Sequence, residues 1–125
     1  MKVKKIVKIR IVEDVREDMR KTDKYVEDVL AGRVPIDKER AKYTIVLTPE
    51  GFARLFSPEK VRLMIRIKKN KVLNIYQLAK QLGRKYEAVH RDIKCLESYK
   101  LIKIKTKDNK KIPYIDEKIT LEAFA

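Results

Sequence analysis

The segment from residue 84 to residue 94 is rich in side chains that could bind a nucleic acid. Its polar and charged members are Arg84, Lys85, Tyr86, Glu87, His90, Arg91 and Lys94. Arginine can donate two hydrogen bonds to a guanine edge, so Arg84 or Arg91 could hold a base. Lysine commonly binds phosphate, which suits Lys85 and Lys94. Tyr86 could stack, meet a thymine methyl group or donate to a phosphate there, or could instead pack at the helix start.

The same segment offers little for catalysis or metal binding. His90 is the chain's only histidine and Cys95 its only cysteine, which excludes an internal disulfide and a cysteine-rich zinc site. The sequence contains no glycine-rich phosphate loop and no pair of carboxylates suited to a pocket. We therefore expect no enzyme activity, no metal and no cofactor. Asp92 is expected to pair with a basic neighbour and to fix its rotamer.

These side chains need a helix with one buried face. Val89, Ile93 and Leu96 recur at spacings of four and three and predict a helix over about 85–98. A shorter helix is predicted over 75–82, with Asn74 as its cap and Gly83 at its end. Tyr76 and Gln77, in the first turn of that helix, complete the candidate contacts on the helices.

A basic hairpin is predicted to follow. Residues 101–106 alternate Leu or Ile with Lys and predict a strand. Asp108-Asn109-Lys110 predicts a turn, and 111–115 predict a second strand that runs back beside the first. The hairpin lysines are Lys103, Lys105, Lys107, Lys110 and Lys111. They would suit the minor groove or the flanking phosphates. The alternative is a solvated hairpin that protects its own edge with lysine.

Residues 58–115 resemble the winged helix-turn-helix regulators of the MarR and ArsR type. The resemblance rests on the words IYQLAKQLG at 75–83 and VHRDIKCLE at 89–97, followed by Leu101-Ile102. The run from Leu82 to Asp92 is closer still to small archaeal predicted regulators. The resemblance implies a DNA-binding domain whose second helix enters the major groove, usually in a twofold homodimer.

The N-terminal part has a different pattern. Alternation predicts a strand over about 3–12, and apolar spacing predicts a helix over 13–31 that ends at Gly32. A linker covers 34–42 and a short strand 43–47. The strand and helix cannot bury both of their apolar faces alone. We expect them to fold onto the rest of the chain through 43–47, or to pair with the same segment of a second copy.

The remaining elements complete an α+β fold. Thr48-Pro49-Glu50 and Ser57-Pro58-Glu59 each predict a helix start, and the second helix, 58–69, carries a stripe of Val61, Met64, Ile65 and Lys68. A last extended stretch is predicted over 118–122. We divide the chain into a strand–helix extension, 1–47, with a proposed role in dimerisation, and a winged helix-turn-helix domain, 48–125, built from a three-helix core and a β-wing.

Charge points to a polyanionic partner. The 125 residues carry a net charge of +14, and most of the basic excess lies after residue 56. Apolar runs are too short to span a membrane, and the start lacks a signal core, so a cytoplasmic location is expected. The prediction is a sequence-specific regulator that binds double-stranded DNA as a homodimer. Its effector, if any, is not indicated by the sequence.

Two other functions stay open at this point. A winged helix can serve as a protein-binding or RNA-binding module of a transcription or RNA complex, although its second helix would then usually be less basic. An antitoxin that represses its own operon would have the same sequence features as the leading prediction. The basic residues Lys85, Arg91 and Lys94 on one helix favour DNA.

Overall fold

The computed structural model describes residues 6–35, 43–70, 73–116 and 118–122 and shows an α+β chain. In the described part the strands are β1 (Ile6–Ile11), β2 (Thr44–Leu47), β3 (Lys103–Lys107), β4 (Lys110–Tyr114) and β5 (Lys118–Glu122). The helices are α1 (Val15–Leu30), α2 (Pro49–Leu55), α3 (Pro58–Lys69), α4 (Ile75–Leu82) and α5 (Tyr86–Ser98). The described residues form two compact units, the sheet unit (6–53 and 118–122) and the helical unit (54–116).

The sheet unit is built on a parallel sheet with strand order β2-β1-β5. Side chains alternate along a strand, and paired positions of neighbouring strands share a face. Val7, Ile9, Ile45 and Leu47 therefore lie on one face, and all four are buried. Parallel sheets are normally buried, because the crossover connections that join their strands pack against the faces of the sheet.

Helix α1 contacts a side chain on the other face of the sheet. Arg10 lies on the face opposite Ile9, and its Nη1 donates to Oδ1 of Asp18 on α1 at 3.1 Å. The helix begins at Asp14, whose carboxylate accepts hydrogen bonds from the backbone N–H groups of Arg16 and Glu17. It ends near Gly32, which has a φ of +75°. No α1 side chain of the described residues is fully buried.

The observed grouping differs from the predicted division between residues 47 and 48. Residues 118–122 were predicted to belong with the C-terminal domain, yet β5 pairs with β1 along Val7–Ile119 and Ile9–Leu121. Local alternation predicts that a strand exists but does not say which strand is its neighbour. In sequence terms, the helical unit is an insertion between β2 and β5.

Helix α3 has the predicted bounds but a different buried face. Ser57 caps it, with the side-chain oxygen accepting from the backbone N–H of Lys60, and Pro58 occupies the first turn. The prediction of a stripe through Val61 and Ile65 is wrong, because Ile65 is exposed while Leu63, Met64 and Ile67 are buried. Both stripes have helical spacing, and tertiary packing decides between them.

Helices α4 and α5 form a tight helix pair, as predicted. Asn74 and Gln77 make a reciprocal capping box at the start of α4. Gly83 ends α4 with a φ of +63°, a left-handed conformation that costs glycine little. The pair closes on a core supplied by both helices and the adjoining segments, which contains Ile75, Leu78, Ala79, Val89, Ile93, Leu96, Leu101 and Ile102.

Strands β3 and β4 form an antiparallel hairpin, also as predicted. Its two-residue turn is Asp108-Asn109, with φ values of +53° and +62°. Positive φ at both central positions is the feature of the type I′ turn, whose twist matches that of a hairpin. Ile112 and Pro113 are buried, and β4 packs on α3 and α4. The hairpin is therefore held by its second strand, and its turn end is exposed.

Candidate nucleic-acid interface

Helix α5 has a buried face and an exposed charged face. Val89, Ile93 and Leu96 are fully buried. On the opposite side Glu87, Arg91 and Lys94 recur at spacings of four and three, and all are exposed. Lys94 Nζ lies 3.4 Å from Oε1 of Glu97. At exposed positions such an ion pair contributes little to stability and can exchange partners. The exposed face can therefore offer cations to an anionic ligand.

Arg84 is placed differently from the other candidates on this segment. Its Nη2 donates to Oδ2 of Asp92 at 2.7 Å, and the side chains are 23% and 12% exposed. Among the described residues its Nη1 is buried without a hydrogen-bond partner. The expectation that Asp92 pairs with a basic neighbour is confirmed. A guanidinium held inward in this way is poorly placed to hold a guanine edge.

Tyr86 and His90 form a second local arrangement at the start of α5. Their rings are stacked, with centroids 5.7 Å apart and planes inclined by 23°. Tyr86 remains exposed and His90 half-buried, and Lys85 just before them is exposed. Stacking restricts the rotamers of both rings at the N-terminal end of α5.

Lys80, on the exposed side of α4, is a candidate contact that the sequence analysis did not identify. Tyr76 is 63% exposed, and Lys80, one turn later on the same side, is exposed as well. Gln77 is exposed, but its Oε1 accepts the backbone N–H of Asn74 in the capping box. The i, i+4 spacing from Tyr76 to Lys80 was visible in the sequence and could have identified Lys80.

The turn end of the β3–β4 hairpin concentrates positive charge. Lys107 pairs with Lys110 and Thr106 with Lys111 in the strand register. Lysines facing one another across two strands repel, so an anion bound here would relieve a cost already present in the free protein. Lys105 is also exposed, and its Nζ lies 5.6 Å from the Tyr114 ring centroid.

Lys103 is more restrained than the other hairpin lysines. It lies at the base of β3, is half-buried, and its Nζ is 3.4 Å from Oδ1 of Asp116. Nearby, Lys68 Nζ donates to the carbonyl oxygen of Ile115 at 3.4 Å. These contacts join the base of the hairpin to its surroundings. The structure thus separates the predicted lysines into one that is held at the base and four exposed ones.

This surface exposes lysine and arginine cations and the Tyr76 and Tyr86 rings. Among residues 6–35, 43–70, 73–116 and 118–122, no three His, Cys, Asp or Glu side chains come together as metal ligands. Cys95 is a half-buried free thiol on α5. No helix in those ranges is long and apolar enough to cross a membrane.

The chain matches a known protein family. Residues 55–119 match the family described as HVO_A0114, and the match covers more than half of the chain. The protein belongs to the HVO_A0114 family. The matched region includes α3, α4, α5 and the hairpin, and so includes the whole candidate interface. Among curated proteins, no sequence matches this chain.

Proposed function

We propose that the helical unit is a winged helix-turn-helix domain that binds double-stranded DNA, and that the protein is a transcriptional regulator. In this proposal α5 is the recognition helix and lies in the major groove. The β3–β4 hairpin is the wing and lies along phosphates or in the minor groove. The proposal gives each candidate residue a role that can be measured separately.

One observation carries the proposal: the face of α5 opposite its buried face exposes two cations, Arg91 and Lys94, beside a single carboxylate, Glu87. Arg91 and Lys94 lie there, one turn apart, while Val89 and Ile93 hold the helix in the core. The tight turn at Gly83 and the short preceding helix α4 leave that face open. A helix about 10–12 Å wide with a basic outer face fits the major groove.

The roles follow from exposure and existing partners. Arg91 is exposed and is the best candidate to hold a guanine edge. Lys85, Lys94 and Lys80 are suited to phosphates on either side of the groove, and Tyr76 and Tyr86 to sugars or phosphates. Glu87 could accept from a cytosine amino group. Arg84 becomes a positioning residue, since Asp92 holds its guanidinium.

The test is DNA binding by the full chain. Selection on duplexes with a random central region would define a preferred site, and fluorescence anisotropy would then measure affinity for that site and for a shuffled duplex. We expect Arg91→Ala to lose about 1–3 kcal/mol on the preferred site and much less on the shuffled duplex. Lys94→Ala should weaken binding to both duplexes equally and make the affinity less dependent on salt concentration.

Lys24→Ala is the matched control, because it removes an exposed cation from α1 in the sheet unit. It should leave both affinities unchanged. The proposal fails if Arg91→Ala and Lys94→Ala bind duplex DNA as well as the unaltered chain does. It also fails if RNA or single-stranded DNA competes as strongly as duplex, which would instead support an RNA-binding module.

A further inference from the structure

Helix α1 carries an apolar surface that its own sheet does not cover. Met19, Val26 and Leu30 are 59%, 47% and 83% exposed. At 3.6 residues per turn they lie within about 40° of one another, and half-buried Val15 extends the same line. We call these four residues the α1 stripe. The helix already uses another side to contact the sheet, where Asp18 meets Arg10.

The α1 stripe is symmetric along the helix. Met19 and Val26 lie at equal distances on either side of the midpoint between Thr22 and Asp23, and so do Val15 and Leu30. Two copies of α1 placed antiparallel about a twofold axis would therefore match Met19 with Val26, and Val15 with Leu30. A twofold interface must be self-complementary in this way, since the same patch is used by both subunits.

The charges beside the stripe are arranged in a related way, about a midpoint one residue earlier, between Lys21 and Thr22. Arg16, Arg20, Asp23 and Glu27 are exposed along one side of the stripe, with the basic pair first and the acidic pair last. We call this row the charged edge. In an antiparallel helix pair the same edges of both helices meet, so Arg16 and Arg20 of one copy face Glu27 and Asp23 of the other. In a parallel pair the charged edge would face the other edge of the partner helix, and this pairing of unlike charges would be lost.

From the stripe and the charged edge we propose that α1 is the contact surface for a second copy of this chain, packed as an antiparallel helix pair. The existing contact of Arg20 with Glu17, at 3.8 Å and well exposed, is weak enough to be exchanged. Strand β1 already pairs with β2 and β5 of its own chain. The helix rather than the strand thus offers the free surface for a second copy.

The test is the oligomeric state of the full chain without DNA, so it is independent of the proposed DNA binding. A pair of short helices is a small interface, and a dimer that dissociates in the micromolar range is expected. Sedimentation velocity over about 1–100 µM should show the mass rise from 14.8 kDa towards twice that value. Met19→Glu with Val26→Glu should stay monomeric throughout, and Lys24→Glu, on another side of α1, should behave as the unaltered chain.

The charged edge supplies a sharper test, because it predicts which variants recognise each other. An acidic-edge variant (Arg16→Glu with Arg20→Glu) and a basic-edge variant (Asp23→Lys with Glu27→Lys) should each self-associate poorly. Mixed together they should form a heterodimer, seen by native mass spectrometry. Far-UV circular dichroism checks that each variant is folded.

Three results would overturn the proposal. The unaltered chain could remain at 14.8 kDa over the whole concentration range. The Met19→Glu/Val26→Glu variant could dimerise as well as the unaltered chain, which would place the interface elsewhere. The two edge variants could associate no better when mixed than alone, which would exclude the antiparallel arrangement.

Discussion

Arg84 and Asp92 are joined by a hydrogen bond of 2.7 Å between Nη2 and Oδ2, and this pair links the turn before α5 to the middle of that helix. Asp92 is the only charged residue that is buried in the described ranges. Its carboxylate lies beside the same core that Val89 and Ile93 enter. The pair therefore sets how the turn meets the helix, and through this the direction of the exposed side chains on α5.

The first prediction concerns this pair. Arg84→Met should lower the free energy of unfolding by about 2 kcal/mol, because it leaves a mostly buried carboxylate without its partner. The figure is below that for a fully buried pair because both side chains retain some solvent contact. Urea denaturation of Arg84→Met, Asp92→Leu and the double variant would measure the coupling. A double variant as unstable as the two losses added together would contradict the interpretation.

The capping box at the start of α4 gives the second prediction. Asn74→Ala removes the acceptor for the Gln77 backbone N–H and should cost about 1 kcal/mol in the free energy of unfolding. Gln77→Ala removes only the return bond to the Asn74 N–H and should cost less. Urea melts of the two variants, followed by circular dichroism, compare the losses directly. Equal losses would mean that the two bonds contribute alike.

Gly83 gives the third prediction. Its φ of +63° is unfavourable for a residue with a Cβ, although a Cβ there would meet nothing within 4 Å. Gly83→Ala should therefore destabilise through the backbone alone, by about 1 kcal/mol. Gly83→Asn should cost less, since asparagine tolerates the left-handed region better. Thermal melts will compare the two variants. If Gly83→Asn melts at a lower temperature than Gly83→Ala, side-chain space and not backbone conformation limits this position.

The turn end of the hairpin gives the fourth prediction, in which stability and binding change in opposite directions. Lys107→Gln with Lys110→Gln removes two facing cations and should raise the free energy of unfolding slightly, by about 0.3 kcal/mol. The same variant should bind duplex DNA more weakly, and the salt dependence of its affinity should be less steep, by up to about two phosphate contacts. Anisotropy titrations at several salt concentrations would measure this. Unchanged salt dependence would mean that the hairpin does not touch phosphates.

Strand β5 gives the fifth prediction. Ile119 pairs opposite Val7 in the sheet, so Ile119→Asp should loosen β1 while leaving the β3–β4 hairpin intact. Hydrogen exchange followed by mass spectrometry should show faster exchange in 6–11 and 44–47 and no change in 103–114. Lys118→Glu, at an exposed position in the same strand, is the control. Faster exchange in the hairpin would instead couple β5 to the stability of the helical unit, which is part of the domain to which 118–122 were predicted to belong.

The predictable parts of the fold were those encoded locally. The Asn74 cap, the glycine at 83 and the apolar spacing of 89, 93 and 96 predicted α4 and α5 with bounds within one residue of those observed. The Asp108-Asn109 turn fell where the hairpin required it. Each of these signals acts through neighbours in the chain or one turn away, so the sequence alone contains it.

The parts that could not be predicted depend on distant contacts. Nothing in the alternation of 118–122 says that β5 lies beside β1. The apolar spacing of α3 predicted a stripe through Val61 and Ile65, whereas the packing buries Leu63 and Ile67. Arg84 was grouped with the exposed residues of its segment, although Asp92 was expected to pair with a basic neighbour. Only its contact with Asp92 shows that it is held inward.

The pairing of β5 with β1 also has a consequence for how this chain folds during synthesis. Val7 and Ile119 are neighbours in the sheet but lie roughly 110 residues apart in sequence, and such distant contacts slow folding. At roughly 5–20 residues per second, β1 leaves the ribosome several seconds before β5 exists. Helix α5 and its hairpin have mainly local contacts and can fold in that interval. The newly made chain would thus pass through a state with a finished helical unit and one open sheet edge, the stage at which it is most exposed to aggregation or to chaperones.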